Sequence, residues 1–137
     1  MAATLTLTLK NHPSEISRLV DLVGAFGEQA GLSEDAIFKL TLALDEIVAN
    51  VIRHAFHDQQ EHRIDVRVTV NERTVAAVVE DDGHPFDPRD APAPDLALPI
   101  EDRLPGGLGM HLVRATMDSV EYRRDHGRNI LTVEFAR

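Results

Sequence analysis

Six of the seven prolines lie between residues 85 and 105, and this crowding divides the chain into two structured parts. Proline fixes φ and has no backbone N–H to donate, so the segment forms neither a regular helix nor a central strand. We therefore expect a long, irregular and mobile loop here, with regular elements before and after it.

The part before the loop predicts five elements from the spacing of its apolar residues. Leucine alternates with threonine over residues 4–9, which is the period of a half-buried strand. Apolar residues then recur at helical spacing over residues 13–30 and 33–55. Two further alternating runs, at residues 64–70 and 75–81, predict a pair of strands.

The part after the loop predicts a short apolar helix from about Leu108 to Met117, followed by a hairpin. Strands at residues 120–124 and 130–135 flank a polar turn at residues 125–128. The order β-α-α-β-β-loop-α-β-β predicts one domain spanning residues 1–137. Its expected fold is a two-layer α/β sandwich, in which helices cover one face of a mixed, mostly antiparallel sheet.

Composition excludes several classes of function. A net charge of −9 disfavours direct binding to nucleic acid, because contacts to phosphate need clustered lysine and arginine, and it suits a protein partner with a basic surface. The absence of cysteine excludes disulfides, zinc–thiolate sites and cysteine nucleophiles. No apolar run is long enough for a membrane helix and no signal peptide is evident, so we expect a cytoplasmic protein without a membrane partner.

Glu46 and Asn50 lie four residues apart on the second helix and therefore share a face. That face is predicted to lie away from the apolar stripe, so Asn50→Ala is expected to leave the fold intact. A carboxylate that accepts a proton beside an amide oxygen that binds a hard cation suits phosphoryl transfer, which depends on positioning and charge neutralisation. Taken alone, the pair is more often an ordinary solvated helix face.

Asp81 continues the inward-facing parity of Val75, Ala77 and Val79, so its carboxylate is predicted to point inward at the end of a strand. Such a carboxylate can accept a hydrogen bond from an exocyclic amine such as that of adenine, and Gly83 lets the backbone approach a flat base. An acidic turn is the alternative, because Asp-Gly is a frequent turn dipeptide.

Gly106, Gly107 and Gly109 come directly before the third helix. The backbone amides of a glycine-rich turn at a helix N-terminus form a cradle for phosphate, although the end of a flexible loop has the same composition. The chain has no Gly-x-x-x-x-Gly-Lys-Ser/Thr pattern and no Gly-x-Gly-x-x-Gly after a strand, which excludes an ordinary P-loop and a dinucleotide fold.

The order and spacing of these motifs resemble the GHKL ATPase superfamily, whose members share the Bergerat fold. Four stretches carry the resemblance: Glu46 with Asn50, Asp81 with Gly83, Gly107 with Gly109, and Gly127-Arg128-Asn129. Residues 50–56 and 83–88 are similar to the anti-sigma-factor serine kinase branch in particular. The resemblance covers roughly the whole chain.

This resemblance implies ATP and Mg²⁺ as cofactors and assigns a role to each matching residue. Glu46 would be the general base that takes the proton from a serine hydroxyl, and Asn50 would bind Mg²⁺ through its side-chain oxygen. Asp81 would hold the adenine amino group, with Gly83 beside it. The other nucleotide-binding candidates are Arg53, Arg103, Gly106, Gly107, Leu108, Gly109 and, as a weaker one, Thr132.

The implied function is that of a serine/threonine kinase that phosphorylates a serine on an anti-sigma-factor antagonist and also sequesters a sigma factor. The added phosphate would break the complex with the antagonist by placing charge at the interface. Members of this branch are often homodimers, so the resemblance makes a homodimer an expectation to test.

Two positions depart from the pattern of the branch. The second glycine of the first glycine box is Pro85, and the arginine usual before the second box is replaced by Leu104-Pro105, with Arg103 nearest. The displaced arginine keeps open a non-catalytic, nucleotide-gated binding module. An ATPase module of the topoisomerase or histidine-kinase kind is less favoured, because the chain is acidic and has no room for the further domains of those proteins.

Overall fold

The computed structural model describes residues 2–90 and 107–137. The elements are β1 (Ala3–Lys10), α1 (Glu15–Gln29), α2 (Glu34–His54), β2 (Arg63–Val70), β3 (Thr74–Asp81), a 3-10 turn (Pro88–Asp90), α3 (Gly107–Thr116), β4 (Ser119–Asp125) and β5 (Arg128–Ala136). Every predicted helix and strand is present in the predicted order, with bounds that differ by at most two residues. Most of the predicted irregular loop, residues 91–106, lies outside the described residues.

Helix α2 begins at a capped turn and carries the predicted catalytic residue Glu46 and the predicted metal ligand Asn50. The hydroxyl of Ser33, its N-cap, accepts a hydrogen bond from the backbone N–H of Ala36 at 3.1 Å. Glu34 and Asp35 lie in the first turn, where the helix dipole stabilises negative charge. The helix therefore starts at a defined residue, which fixes the direction of each side chain that follows.

The five strands form one sheet in the order β1-β2-β3-β5-β4. All four pairings of the described strands are antiparallel, so the predicted mixed sheet contains no parallel pair among them. In the last hairpin, His126 and Gly127, both at positive φ, reverse the chain within two residues and place β5 antiparallel to β4. It is β5, and not β4, that then pairs with β3, and this pairing is antiparallel as well.

One hydrophobic core lies between the sheet and the helices. It contains the inward-facing residues of the strands together with apolar residues from all three helices, for example Leu19 of α1, Leu44 of α2 and Val113 of α3. This arrangement confirms the predicted two-layer α/β sandwich. Among the described helices, none is long and apolar enough to cross a membrane.

Candidate functional site

Asn50 is buried, with 1% of its surface exposed, so its side of α2 is not the solvated helix face of the alternative interpretation. Although Asn50 was predicted to lie away from the apolar stripe, it is packed as closely as the core residues. Helix α3 packs against α2 on the side that carries Glu46 and Asn50, so α2 is covered there as well as by the sheet. The Nδ2 group of Asn50 donates to the backbone oxygen of Glu46 at 2.9 Å. With its amino group engaged in this way, the side chain keeps its oxygen available as a ligand for a cation.

Glu46 has a buried oxygen, Oε2, that lacks a hydrogen-bond partner within the described residues. Burial raises the pKa of Glu46, the charge of Asp45 raises it further, and the charge of Arg53 opposes both. A buried, unpartnered carboxylate oxygen is costly, and such groups concentrate at functional sites. A raised pKa also suits a general base, whose proton affinity should lie near the working pH.

Gly109 brings the first turn of α3 directly against this carboxylate. A Cβ atom added at Gly109 would overlap Cγ, Cδ and Oε2 of Glu46. With the side chain of Glu46 in its observed position, only glycine allows the backbone of α3 to approach so closely. The structure therefore brings together three of the predicted site residues, Glu46, Asn50 and Gly109, although they come from opposite sides of the proline-rich loop.

Asp81 lies at the end of β3 with 2% of its surface exposed and faces the core, as its parity predicts. Its Oδ1 accepts hydrogen bonds from the backbone N–H of Gly83 at 2.8 Å and from Nδ2 of Asn129 at 3.0 Å. Burial raises the pKa of Asp81, and these two hydrogen bonds oppose the shift. Because both bonds reach Oδ1, Oδ2 is the oxygen placed to accept from a ligand.

Gly83 is required by packing within the protein itself. A Cβ atom there would overlap the backbone oxygen of Ala55 and lie 2.8 Å from its Cβ. The next residue, His84, donates its backbone N–H to the same oxygen at 2.9 Å. The close approach joins the end of β3 to the end of α2, which brings the strand carrying Asp81 to the helix carrying Glu46.

Asn129 is a site residue to which the sequence analysis gave no role of its own. The sequence motif placed it in the third conserved stretch but gave its side chain no role. Strand parity could have indicated its burial, because Asn129 lies on the same side of β5 as Leu131, Val133 and Phe135. Like them it is buried, with 3% of its surface exposed. It pairs directly with Asp81 across the sheet.

The remaining predicted residues are placed differently. Thr132 pairs with Val78 and has the opposite parity to Asp81 and Asn129, so the structure does not bring it to Asp81. Arg53 is exposed on α2, close enough for its charge to act on Glu46. Gly107 opens α3 and Leu108 follows it, while Arg103 and Gly106 lie outside the described residues.

These features fit a nucleotide with its metal ion. At the helix end, Glu46 offers an unpartnered carboxylate oxygen, Asn50 an amide oxygen, and Gly109 a glycine turn at a helix N-terminus. At the strand end, Asp81 offers an acceptor for a purine amine. Anionic phosphate is favoured at a helix N-terminus, and amide and carboxylate oxygens are the ligands that Mg²⁺ prefers.

Known proteins match this chain along most of its length. A family model described as the histidine kinase-like ATPase domain matches residues 9–135. The serine/threonine-protein kinase BtrW of Bordetella bronchiseptica is 36% identical over 96 residues, which are 70% of this chain and 68% of that protein. The serine-protein kinase RsbW of Listeria monocytogenes is 27% identical over 135 residues, or 96% of this chain and 86% of that protein.

A solved structure has the same fold. The crystal structure of the RsbU and RsbW domains of a Mycobacterium tuberculosis protein matches with a TM-score of 0.70 at 17% identity. The match covers 98% of this chain and 33% of that one, so this chain spans a minor part of the solved protein. This match confirms the predicted fold class. The family model and the sequence relatives confirm the predicted superfamily and enzyme class. The chain belongs to the histidine kinase-like ATPase domain family and, within it, to the branch of ATP-dependent serine/threonine protein kinases.

Proposed function

We propose that this chain is an anti-sigma-factor kinase, which phosphorylates a serine on an antagonist protein and sequesters a sigma factor. The observation that carries the proposal is the unpartnered oxygen of Glu46, held against Gly109 at the start of α3. A carboxylate in this position serves as the base that receives the proton of the serine hydroxyl.

Asn50 would hold Mg²⁺. Gly107 and Gly109 would hold the phosphates, and Asp81 would hold the adenine. When bound, ATP would supply the phosphoryl group, and Mg²⁺ would neutralise charge on the phosphates. The protein's part is to position the base and to exclude water. The burial of Asn50 and the partial burial of Glu46 under α3 support both tasks.

The partners we propose are the antagonist as substrate and the sigma factor as captured protein, in the cytoplasm, without direct contact to nucleic acid. The net charge of −9 supports a partner with a basic surface. A homodimer is a further part of the proposal, and its test is the molar mass in solution.

A nucleotide-gated binding module without kinase activity is the second candidate. The observation that favours it is the sequence Leu104-Pro105 in place of the arginine usual in the branch. This module would bind ATP or ADP tightly and capture its partner, but it would transfer no phosphoryl group.

The deciding experiment mixes the purified chain with Mg-ATP and candidate antagonist proteins and measures phosphoserine by mass spectrometry. Glu46→Gln should lower the rate by about 10²- to 10⁴-fold, the usual contribution of a general base. Glu34→Gln, the same substitution at an exposed position of the same helix, is the matched control. Partner capture without phosphoserine, in wild type and variant alike, would favour the second candidate.

A further inference from the structure

Three polar side chains form a row across three neighbouring strands at the strand-end side of the site. Asn129 of β5 pairs with Asp81 of β3 on one side and with Arg124 of β4 on the other. Asp81 and Asn129 are almost fully buried, whereas Arg124 is exposed at the edge of the sheet. The row therefore connects the buried carboxylate to the outer strand.

Asn129 uses its whole carboxamide within the protein. Its Nδ2 group donates to Asp81 Oδ1 at 3.0 Å and to the backbone oxygen of His84 at 2.9 Å. Its Oδ1 accepts from the backbone N–H of Phe86 at 3.2 Å, from the hydroxyl of Tyr122 at 2.5 Å and from the guanidinium of Arg124 at 3.0 Å. A carboxamide with both donors and its acceptor engaged has a single orientation.

The same contacts hold the loop that follows β3. His84 and Phe86 are bound through their backbones to Asn129, and Arg124 donates to the backbone oxygen of Gly83 at 3.0 Å. Gly83 in turn donates to Asp81 Oδ1. Asp81 is therefore fixed from two sides by groups that are themselves fixed, and its rotamer does not depend on a ligand.

We propose that Asn129 is a positioning residue for nucleobase specificity, which fixes the Asp81 carboxylate so that its Oδ2 accepts from the 6-amino group of a purine. The proposal rests on the proposed function, in which Asp81 contacts adenine. Adenine presents an amino group at this position, whereas guanine presents a carbonyl oxygen that would repel a carboxylate. The fixed carboxylate thus favours adenine nucleotides over purines that lack the amine.

The test replaces Asn129 with aspartate, which has the same shape. Asn129→Asp keeps an oxygen for Phe86, Tyr122 and Arg124 but turns the donor facing Asp81 into an acceptor, so two carboxylates face each other. Asn71→Asp is the matched control. Asn71 lies in the turn at the other end of β3, and its Oδ1 accepts from Arg73 and Thr74, a role that aspartate retains.

Calorimetry measures the affinity of each protein for Mg-ATP and for Mg-purine riboside triphosphate, which is ATP without the 6-amino group. For the wild type and Asn71→Asp we expect ATP to bind more tightly than the analogue. Asn129→Asp should lower ATP affinity about 10- to 100-fold, the range for one hydrogen bond to a charged group, and leave the analogue nearly unchanged. A general weakening of the fold would instead lower both affinities together.

Arg124→Ala is the second variant, because Arg124 is exposed and its loss should not prevent folding. It should reduce the preference for ATP by at least about threefold, which is near the lower end of the range for the loss of one hydrogen bond. This variant decides the question if Asn129→Asp does not fold. If the folded variants keep the wild-type preference for ATP over the analogue, the role of Asn129 is overturned, but the proposed kinase function is not affected. A wild type that binds ATP without preferring it over the analogue also overturns this role, and a wild type that binds neither nucleotide overturns the proposed function as well.

Discussion

Glu46 and Asp81 are both carboxylates whose pKa is raised by burial, but their hydrogen bonding differs. Asp81 is held by Gly83 and Asn129, and the loop around it is fixed by further bonds. Glu46 has a buried oxygen without a partner in the described part of the chain. The strand end of the site, at Asp81, is held in place by hydrogen bonds without a ligand. The helix end, at Glu46, has an oxygen whose hydrogen bonding the described residues leave unsatisfied.

This difference indicates that the strand end serves recognition of the base and the helix end serves the reaction. A prearranged acceptor at the strand end selects the base without paying an ordering cost when it binds. An unsatisfied carboxylate at the helix end retains its proton affinity for the reaction, because no internal donor competes for it. Burial of the charged form costs stability at both carboxylates, but two hydrogen bonds offset part of this cost at Asp81, whereas Glu46 has an oxygen without a partner in the described part of the chain. This is expected if Glu46 acts in chemistry and Asp81 in recognition.

The largest expected effects come from alanine substitutions at Gly109 and Gly83, which should differ in whether they lower activity or stability. Gly109→Ala would place a Cβ on the side chain of Glu46, which can rotate away, so the rate of phosphoryl transfer should fall about a hundredfold while the melting temperature changes little. Gly83→Ala would place a Cβ on the backbone of Ala55, which cannot move freely, and should cost about 1–3 kcal/mol of stability.

Thermal melting and a phosphorylation assay on both variants check this contrast. A large drop in melting temperature for Gly109→Ala with an unchanged rate would contradict it. In that case the close contact between α2 and α3 would serve packing alone, and the comparison between the two ends would lose its functional meaning.

Asn50→Ala tests whether the buried face of α2 contributes to stability. The sequence predicts an intact fold, because Asn50 lies off the apolar stripe. In the structure, Asn50 is 1% exposed and donates to the backbone of Glu46, so its loss should cost about 1–2 kcal/mol through a lost hydrogen bond and a small void. Urea unfolding without nucleotide measures this cost, and a midpoint equal to that of the wild type would support the sequence-based expectation instead.

The smallest expected effect is the pH dependence of Glu46→Gln stability. Because burial raises the pKa of Glu46, the folded state binds its proton more tightly than the unfolded chain does. The wild type therefore loses stability as pH rises from the ordinary glutamate value through the raised one, and glutamine has no such proton to lose. Without ligand, Glu46→Gln should be more stable by about 1 kcal/mol at neutral pH, the scale for a buried unsatisfied group.

This advantage should disappear below the ordinary glutamate pKa, where both states of the wild type are protonated. Melting curves of the two proteins across this pH range check this expectation. The raised pKa of Asp81 contributes equally to both proteins, so it cancels in the difference between their stabilities. A difference in stability that does not vary with pH would show that Glu46 is not destabilised by its charge.

The sequence by itself determined the elements, their order and the direction of Asp81. Helical and strand periods depend on residues close together in the chain, so the apolar spacing predicted each element within two residues of its observed bounds. Strand parity likewise predicted that Asp81 faces inward. The motifs indicated the family because their order along the chain is itself a sequence property.

Only the tertiary structure decided how these residues are buried and joined. The packing of α3 on α2 covers Asn50 and presses Gly109 against Glu46, and the contact of Gly83 with Ala55 joins strand to helix. The position of Asn129 beside Asp81 depends on the pairing of β5 with β3. Each of these contacts joins residues far apart in the chain, and local periodicity carries no information about which distant surfaces meet.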